Sequence, residues 1–229
     1  LIATGATPNV PDVPGAELGI TSNDIFDLTA QPRRLMIVGG GYIACEFAGI
    51  MNGLGSRVTQ IYRGAQILRG FDEDLRDHLA DAMRDRGVAI HIERDIAAIS
   101  REGDALAVRL DNGEVHHVDQ VMFATGRVPN TAGLGLQALG LTLGRNGAVP
   151  VDRWSQTAIP SIYAVGDATD RPALTPVAVR DGVSGALVDG HDPDAWAQTI
   201  GEVFVRDPAT TRAAAVEHGL SARLGEELI

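Results

Sequence analysis

Leu35-Met36-Ile37-Val38-Gly39-Gly40-Gly41-Tyr42-Ile43-Ala44 is the stretch that decides the fold of this chain. Its first four residues form a short, wholly apolar run, as expected of a strand buried on both faces of a parallel sheet. Three glycines follow, and over residues 42–54 apolar side chains recur at helical spacing, with Ile43, Phe47, Ile50 and Leu54 on one face. Strand, glycine turn and helix in direct succession give the pattern G-x-G-x-x-A a physical meaning. Gly39 permits a sharp turn, Gly41 lets backbone approach a pyrophosphate where a Cβ would clash, and Ala44 is small enough for close helix–strand packing. The helix start adds unpaired N–H donors and the positive end of a dipole. The competing reading is a tight packing turn that holds no ligand.

Working outward, residues 57–62 read as a second β-rich run. Residues 72–86 read as a charged amphipathic helix, with Leu75, Leu79 and Met83 at four-residue steps and Gly87 as its C-cap. Residues 88–92 are a third strand, 96–118 short strands around an Asn112-Gly113 hairpin turn, and 118–124 a further apolar strand. The order predicts a βαβαβ mononucleotide-binding unit in an α/β protein with a parallel sheet. The end of the second strand decides which nucleotide it takes. An NAD site places Asp or Glu there, about 20 residues beyond the first glycine, to accept bonds from the ribose hydroxyls. Here the residues are Ile61-Tyr62-Arg63, with Arg69 six positions later. A guanidinium pairs with a 2′-phosphate that a carboxylate would repel, so the arginines favour NADP. Two solvated surface arginines are the alternative.

Composition excludes several classes. The 229 residues carry 19 Lys+Arg against 30 Asp+Glu, a formal charge of −11, which argues against binding a nucleic-acid backbone. Residues 35–55 could be mistaken for a membrane span, but six of the 21 are glycine, three of them consecutive. The single cysteine, Cys45, excludes both a disulfide-stapled fold and a dithiol redox centre within this chain, and its place inside the first helix suits a structural thiol. The six histidines follow no metal-ligand spacing, and His116-His117 reads as a polar pair on a strand edge. Residues 1–30 are rich in turn formers. After Asn130 the chain is loop-rich up to a short strand at 162–165 that ends in Gly166-Asp167, and two amphipathic helices are expected at 194–205 and 208–218. The chain opens at Leu1 with no signal peptide in view and is read as a fragment.

Five stretches together resemble the glutathione-reductase family of flavoprotein pyridine-nucleotide–disulfide oxidoreductases. They are Leu1-Ile2-Ala3-Thr4-Gly5, the Gly39–Ala44 turn running on through Cys45-Glu46-Phe47-Ala48-Gly49, Tyr62-Arg63 through Arg69, Ala124-Thr125-Gly126-Arg127-Val128-Pro129-Asn130, and Tyr163-Ala164-Val165-Gly166-Asp167. The likeness covers residues 1–182. It implies a Rossmann-like three-layer NADP-binding domain (30–149) inserted in a partial FAD-binding domain (1–29 and 150–182). By that resemblance Gly39, Gly41, Tyr42, Ile43, Ala44, Glu46, Arg63, Arg69, Gly126 and Leu174 border NADP(H). Tyr42 would be the gate over the nicotinamide pocket, with Glu46 beside the ring and Gly126 where the nicotinamide nears the flavin. Thr4, Gly5, Gly166, Asp167 and Thr175 would serve FAD, Asp167 bonding the ribityl chain. Glu46 also suits a helix start, and Asp167 a turn cap, without any ligand.

The same resemblance implies a parent that passes a hydride from NADPH to FAD and then electrons to glutathione disulfide. That parent would be a cytoplasmic homodimer with neither a nucleic-acid nor a membrane partner. The family's N-terminal FAD pyrophosphate loop, its C-x-x-x-x-C redox pair and its His-Pro C-terminal segment do not occur here, so no catalytic residue is assigned and the chain alone is expected to be inactive. From Val183 the sequence is similar instead to the C-terminal part of a mycothiol-type retaining glycosyltransferase, with the junction inside residues 176–182. Residues 183–229 are therefore expected to be a short α-rich tail. A chimeric frame, a naturally divergent C-terminus, a glycosyltransferase remnant and an inert chimera remain open.

Overall fold

The computed structural model describes residues 1–169 and Arg171. The expectations at Leu174 and Thr175 and for the tail helices lie outside the described residues. The chain divides into two compact units, Ala6–Val128 and a second made of Leu1–Gly5 with the chain from Pro129 onward.

The first unit begins with β1 (Ala6–Pro8) and β2 (Ile20–Thr21), then runs β3 (Arg34–Val38), α1 (Tyr42–Gly53), β4 (Arg57–Tyr62), α2 (Glu73–Asp85) and β5 (Ala89–Ile92). β6 (Ile96–Glu102), β7 (Ala105–Leu110) and β8 (Val115–Val118) follow, then β9 (Gln120–Phe123) and β10 (Arg127–Pro129). A five-stranded sheet takes the order β2-β9-β3-β4-β5, and every pairing in it is parallel. β6, β7 and β8 form a separate antiparallel sheet. The two-residue alternation of β3 separates the layers. Leu35 and Ile37 point into a core with Ala44, Cys45, Ala48 and Met51 of α1 and Ala80 and Met83 of α2. Met36 and Val38 point the other way, into a core with Ile99 of β6, Leu106 and Val108 of β7 and Val118 of β8. Helices, parallel sheet and antiparallel sheet make the expected three-layer Rossmann-like α/β architecture.

Four details depart from the sequence reading. α1 turns Ala44, Cys45, Ala48 and Met51 inward, while Ile50 and Leu54, expected on the buried face, are 53% and 63% exposed. The glycine turn brings the start of this helix close to the sheet, where Ala44, Cys45 and Ala48 fit, while Ile43 and Phe47 pack half-buried against the same core. On α2, Leu75 stays exposed while Ala80 and Met83 are buried. The run at 118–124 is two strands rather than one. Asp119 stands between them, accepting the Arg34 backbone N–H at 2.8 Å and the Arg34 side chain Nε at 3.0 Å. The strand expected at 162–165 reduces to isolated bridges, Gln156 with Tyr163 and Ile2 with Ala164. The Asn112-Gly113 turn forms as expected, with Gly113 at φ 87° and the Glu114 N–H donating to the Asn112 side chain.

In the second unit Leu136, Leu141, Val149 and Ala164 form a small core with Ile2 and Ile162 against it.

Candidate functional site

The glycine turn lies at the C-terminal end of the parallel sheet, between β3 and α1. Its three glycines have unlike surroundings. A Cβ on Gly39 (φ +142°) would fall 2.2 Å from the Ala124 carbonyl oxygen, and one on Gly40 2.4 Å from the Tyr62 ring. A Cβ on Gly41 would meet nothing within 4 Å. Gly41 is the N-cap of α1, with an extended φ of −81° and ψ of 178°, and as a glycine it brings no side-chain cap. The open cradle at a helix N-terminus fits a pyrophosphate.

Other groups hold this turn in place. The Gly39 N–H donates to the Ile61 carbonyl at 2.9 Å, and the Leu68 N–H donates to the Gly40 carbonyl at 2.6 Å. Gln60, wholly buried in β4, donates through Nε2 to the Gly39 carbonyl at 3.0 Å and contacts the Cys45 Sγ at 3.7 Å. Sequence reasoning passed over Gln60, whose signal was an uncharged amide in an otherwise buried strand position. It also passed over the Tyr62 ring as a wall of the turn. Burial pushes the Cys45 thiol above its ordinary pKa, as befits a packing residue rather than a nucleophile.

The Leu68 bond draws the loop after β4 onto the glycine turn, and with it both arginines. Arg63 and Arg69 are exposed, and neither guanidinium has a carboxylate within ion-pairing distance among the described residues. The loop is fixed from behind, where Arg76 of α2 donates to the Ile67 carbonyl at 2.8 Å and the Gln66 carbonyl at 3.0 Å. Two free cations on an anchored loop beside a phosphate cradle fit a 2′-phosphate. Of the remaining expected positions, Ala44 is fully buried, Ile43 half-buried, Tyr42 37% exposed and Glu46 exposed one turn further along α1. Gly126 (φ +110°) lies just past β9 at the same end of the sheet, its carbonyl accepting the Asn9 N–H at 2.8 Å.

The second unit brings together residues far apart in sequence. Ile2 runs parallel to Ala164, with the Ile2 N–H donating to Tyr163 at 2.8 Å and the Val165 N–H to Ile2 at 3.0 Å. Thr4 and Gly5 are held instead by Asn130, whose N–H donates to the Gly5 carbonyl at 2.9 Å and whose Nδ2 donates to the Thr4 carbonyl at 3.0 Å. Gly5 and Gly166 both have positive φ, 67° and 68°, and Asp167 is half-buried in a short 3-10 turn.

Among the described residues no group of three or more His, Cys, Asp or Glu side chains could hold a metal ion, and no helix is long and apolar enough to cross a membrane. The His116 ring packs edge-on against His91 at 5.4 Å, and His117 contacts Glu102 at 3.0 Å.

A doubly layered parallel sheet with an open glycine cradle at its C-terminal end defines a dinucleotide-binding α/β protein. More particularly, residues 1–182 match the family model "Pyridine nucleotide-disulphide oxidoreductase", and the chain belongs to that family. It is similar to a glutathione reductase from Burkholderia cepacia, 55% identical over 182 residues, covering 80% of this chain and 40% of that protein. A glutathione reductase from Nostoc is 40% identical over 243 residues, covering all of this chain and 53% of the relative. Among solved structures, a HOCl-induced flavoprotein disulfide reductase from Escherichia coli superposes with a TM-score of 0.73 at 33% identity, over 79% of this chain and 41% of that one. The chain thus spans about half or less of the length of these relatives.

Proposed function

We propose that this chain carries the NADPH-binding part of an NADPH-dependent glutathione-disulfide reductase. When bound, NADPH would supply a hydride whose electron pair FAD would relay to a redox disulfide, and the dithiol so formed would open glutathione disulfide. The chain's own residues bind and orient. Gly39, Gly41, Ile43 and Ala44 shape the turn that receives the pyrophosphate, and Arg63 and Arg69 take the 2′-phosphate. Tyr42, Glu46 and Gly126, with Leu174, border the nicotinamide end. Thr4, Gly5, Gly166 and Asp167, followed in sequence by Thr175, serve FAD. In this reading residues 30–149 are the NADP domain and 1–29 with 150–182 belong to the FAD domain. The whole protein is a cytoplasmic homodimer.

The observation that carries the reading is the empty space at Gly41 beside two clamped glycines. A turn kept only for packing has no need of glycine where a Cβ meets nothing and φ is ordinary. Gly41→Val should therefore leave the thermal melting curve within a few degrees of the parent chain and abolish the NADPH fluorescence change on titration. A Gly41→Val protein that binds NADPH like the parent would remove the site from this turn.

For residues 183–229 we propose a glycosyltransferase-like segment joined within 176–182. The family match ends at residue 182, while the Nostoc glutathione reductase aligns along all of this chain. Genomic reads running unbroken through that junction would overturn a chimeric origin.

A further inference from the structure

We infer that the chain carries a second anion site, for a small diphosphate-bearing ligand, at the end of the parallel sheet opposite the glycine turn. A cavity of about 650 Å³ opens there, and its lining includes Arg33, Arg34, Arg57 and Arg86 against a single carboxylate, Asp119. The N-terminal ends of β3 and β4 and the C-terminal ends of α1 and α2 form its walls. In a chain of formal charge −11 this is a concentrated positive patch.

Arginines at helix C-termini often serve only to offset the helix dipole. Here several carbonyls at the helix ends already accept other donors. The Leu54 carbonyl accepts Gln31 Nε2 at 2.8 Å, and the Met51 carbonyl accepts the Ser56 N–H at 2.9 Å. At the end of α2 the Arg86 carbonyl accepts Asn52 Nδ2 at 3.0 Å, and the Met83 carbonyl accepts the Val88 N–H at 3.1 Å. At this end of the sheet, among the described residues, one guanidinium reaches a helix carbonyl, Arg86 to Ala82 at 3.5 Å. Asp119 is engaged by Arg34 through both of its oxygens. Arg33 and Arg57 are exposed and have no ion-pair partner among the described residues.

These two arginines are held side by side. The Arg57 N–H donates to the Arg33 carbonyl at 2.7 Å, and Arg34 and Arg57 are register partners in the β3–β4 ladder. Ser56, buried between them, donates to the Pro32 carbonyl at 2.7 Å and locks the same backbone. Guanidinium forks on a fixed backbone match phosphate oxygens bidentately, and the fixed backbone limits the ordering cost of binding. Arg33 and Arg57, two cleft-lining arginines without a carboxylate partner among the described residues, suit a multiply charged diphosphate better than a single chloride.

The test is calorimetric titration of the full chain, held saturated with NADPH so that the glycine turn is filled, with pyrophosphate, ADP and inorganic phosphate at constant ionic strength. Pyrophosphate should bind the parent chain more tightly than inorganic phosphate and at least tenfold more weakly to Arg33→Ala/Arg57→Ala. That double variant should bind NADPH as the parent does, which separates this site from the glycine turn. Arg57→Gln, which keeps length but removes charge, should weaken pyrophosphate severalfold. ADP and pyrophosphate of equal affinity would mean that the bare diphosphate is recognised, and tighter ADP would mean a nucleotide. No binding of pyrophosphate to the parent, or equal binding by parent and double variant, would overturn the inference.

Discussion

At Gly39 a side chain would need both a left-handed φ of +142° and a Cβ 2.2 Å from the Ala124 oxygen. Gly39→Ala should therefore lose at least about 2 kcal/mol of stability in urea denaturation, since strained backbone and a steric clash act together. Gly41→Val should lose ligand and keep stability. The contrast separates glycines needed for the fold from the one needed for the cradle. The sequence pattern marks Gly39 and Gly41 but treats Gly40 as a free position. Gly40 is constrained by the Tyr62 ring, a contact from the next strand that local spacing cannot reveal. Gln60 escaped notice for the same reason. Its amide matters because it reaches the Gly39 carbonyl across the β3–β4 pairing.

At the scale of elements, periodicity found α1 and half of its inner face. Ile43 and Phe47 pack against the core as the spacing suggests, but Ile50 and Leu54 turn to solvent and the small residues Ala44 and Ala48 lie nearest the sheet. Ala48 is fully buried and Ile50 is 53% exposed. Ala48→Leu should cost about 1–3 kcal/mol through overpacking, and Ile50→Ala should stay within about 0.5 kcal/mol of the parent. Both are read from denaturation midpoints. The break between β8 and β9 was hidden because Asp119 stands in an apolar run, and its purpose appears only with Arg34 opposite. Hydrogen bonding from the Arg34 side chain, opposed in part by burial, holds the Asp119 carboxyl below its ordinary pKa. A folded-state pKa lower than the unfolded one contributes stability above the unfolded value and loses it as pH falls through the folded value. Asp119→Asn should thus melt below the parent at neutral pH, and the gap should close in the acid range below about pH 4. A gap that is unchanged at low pH would show that the ion pair is not its source.

On the scale of the whole molecule, the residues that the glycine pattern and the arginine argument singled out lie about one short loop, because a Rossmann-like unit gathers its ligand groups at one sheet end. The bridge between Ile2 and Ala164 was not legible from local pattern, since nothing local announces a contact across some 160 residues. The anion cleft at the opposite end was not legible at all. Its arginines come from three separate segments and match no motif. One bidentate arginine–phosphate contact contributes on the order of 1.5–3 kcal/mol, equivalent to roughly a tenfold to hundredfold preference. The net negative charge repels both nucleotides at long range and cannot reverse a local preference of that size. The most direct measurement is calorimetric titration of the parent chain and Arg63→Glu with NADPH and with NADH. The parent should bind NADPH at least about tenfold more tightly, and Arg63→Glu should collapse that ratio while sparing NADH. Equal affinities in the parent chain, or NADH as its tighter ligand, would contradict the account.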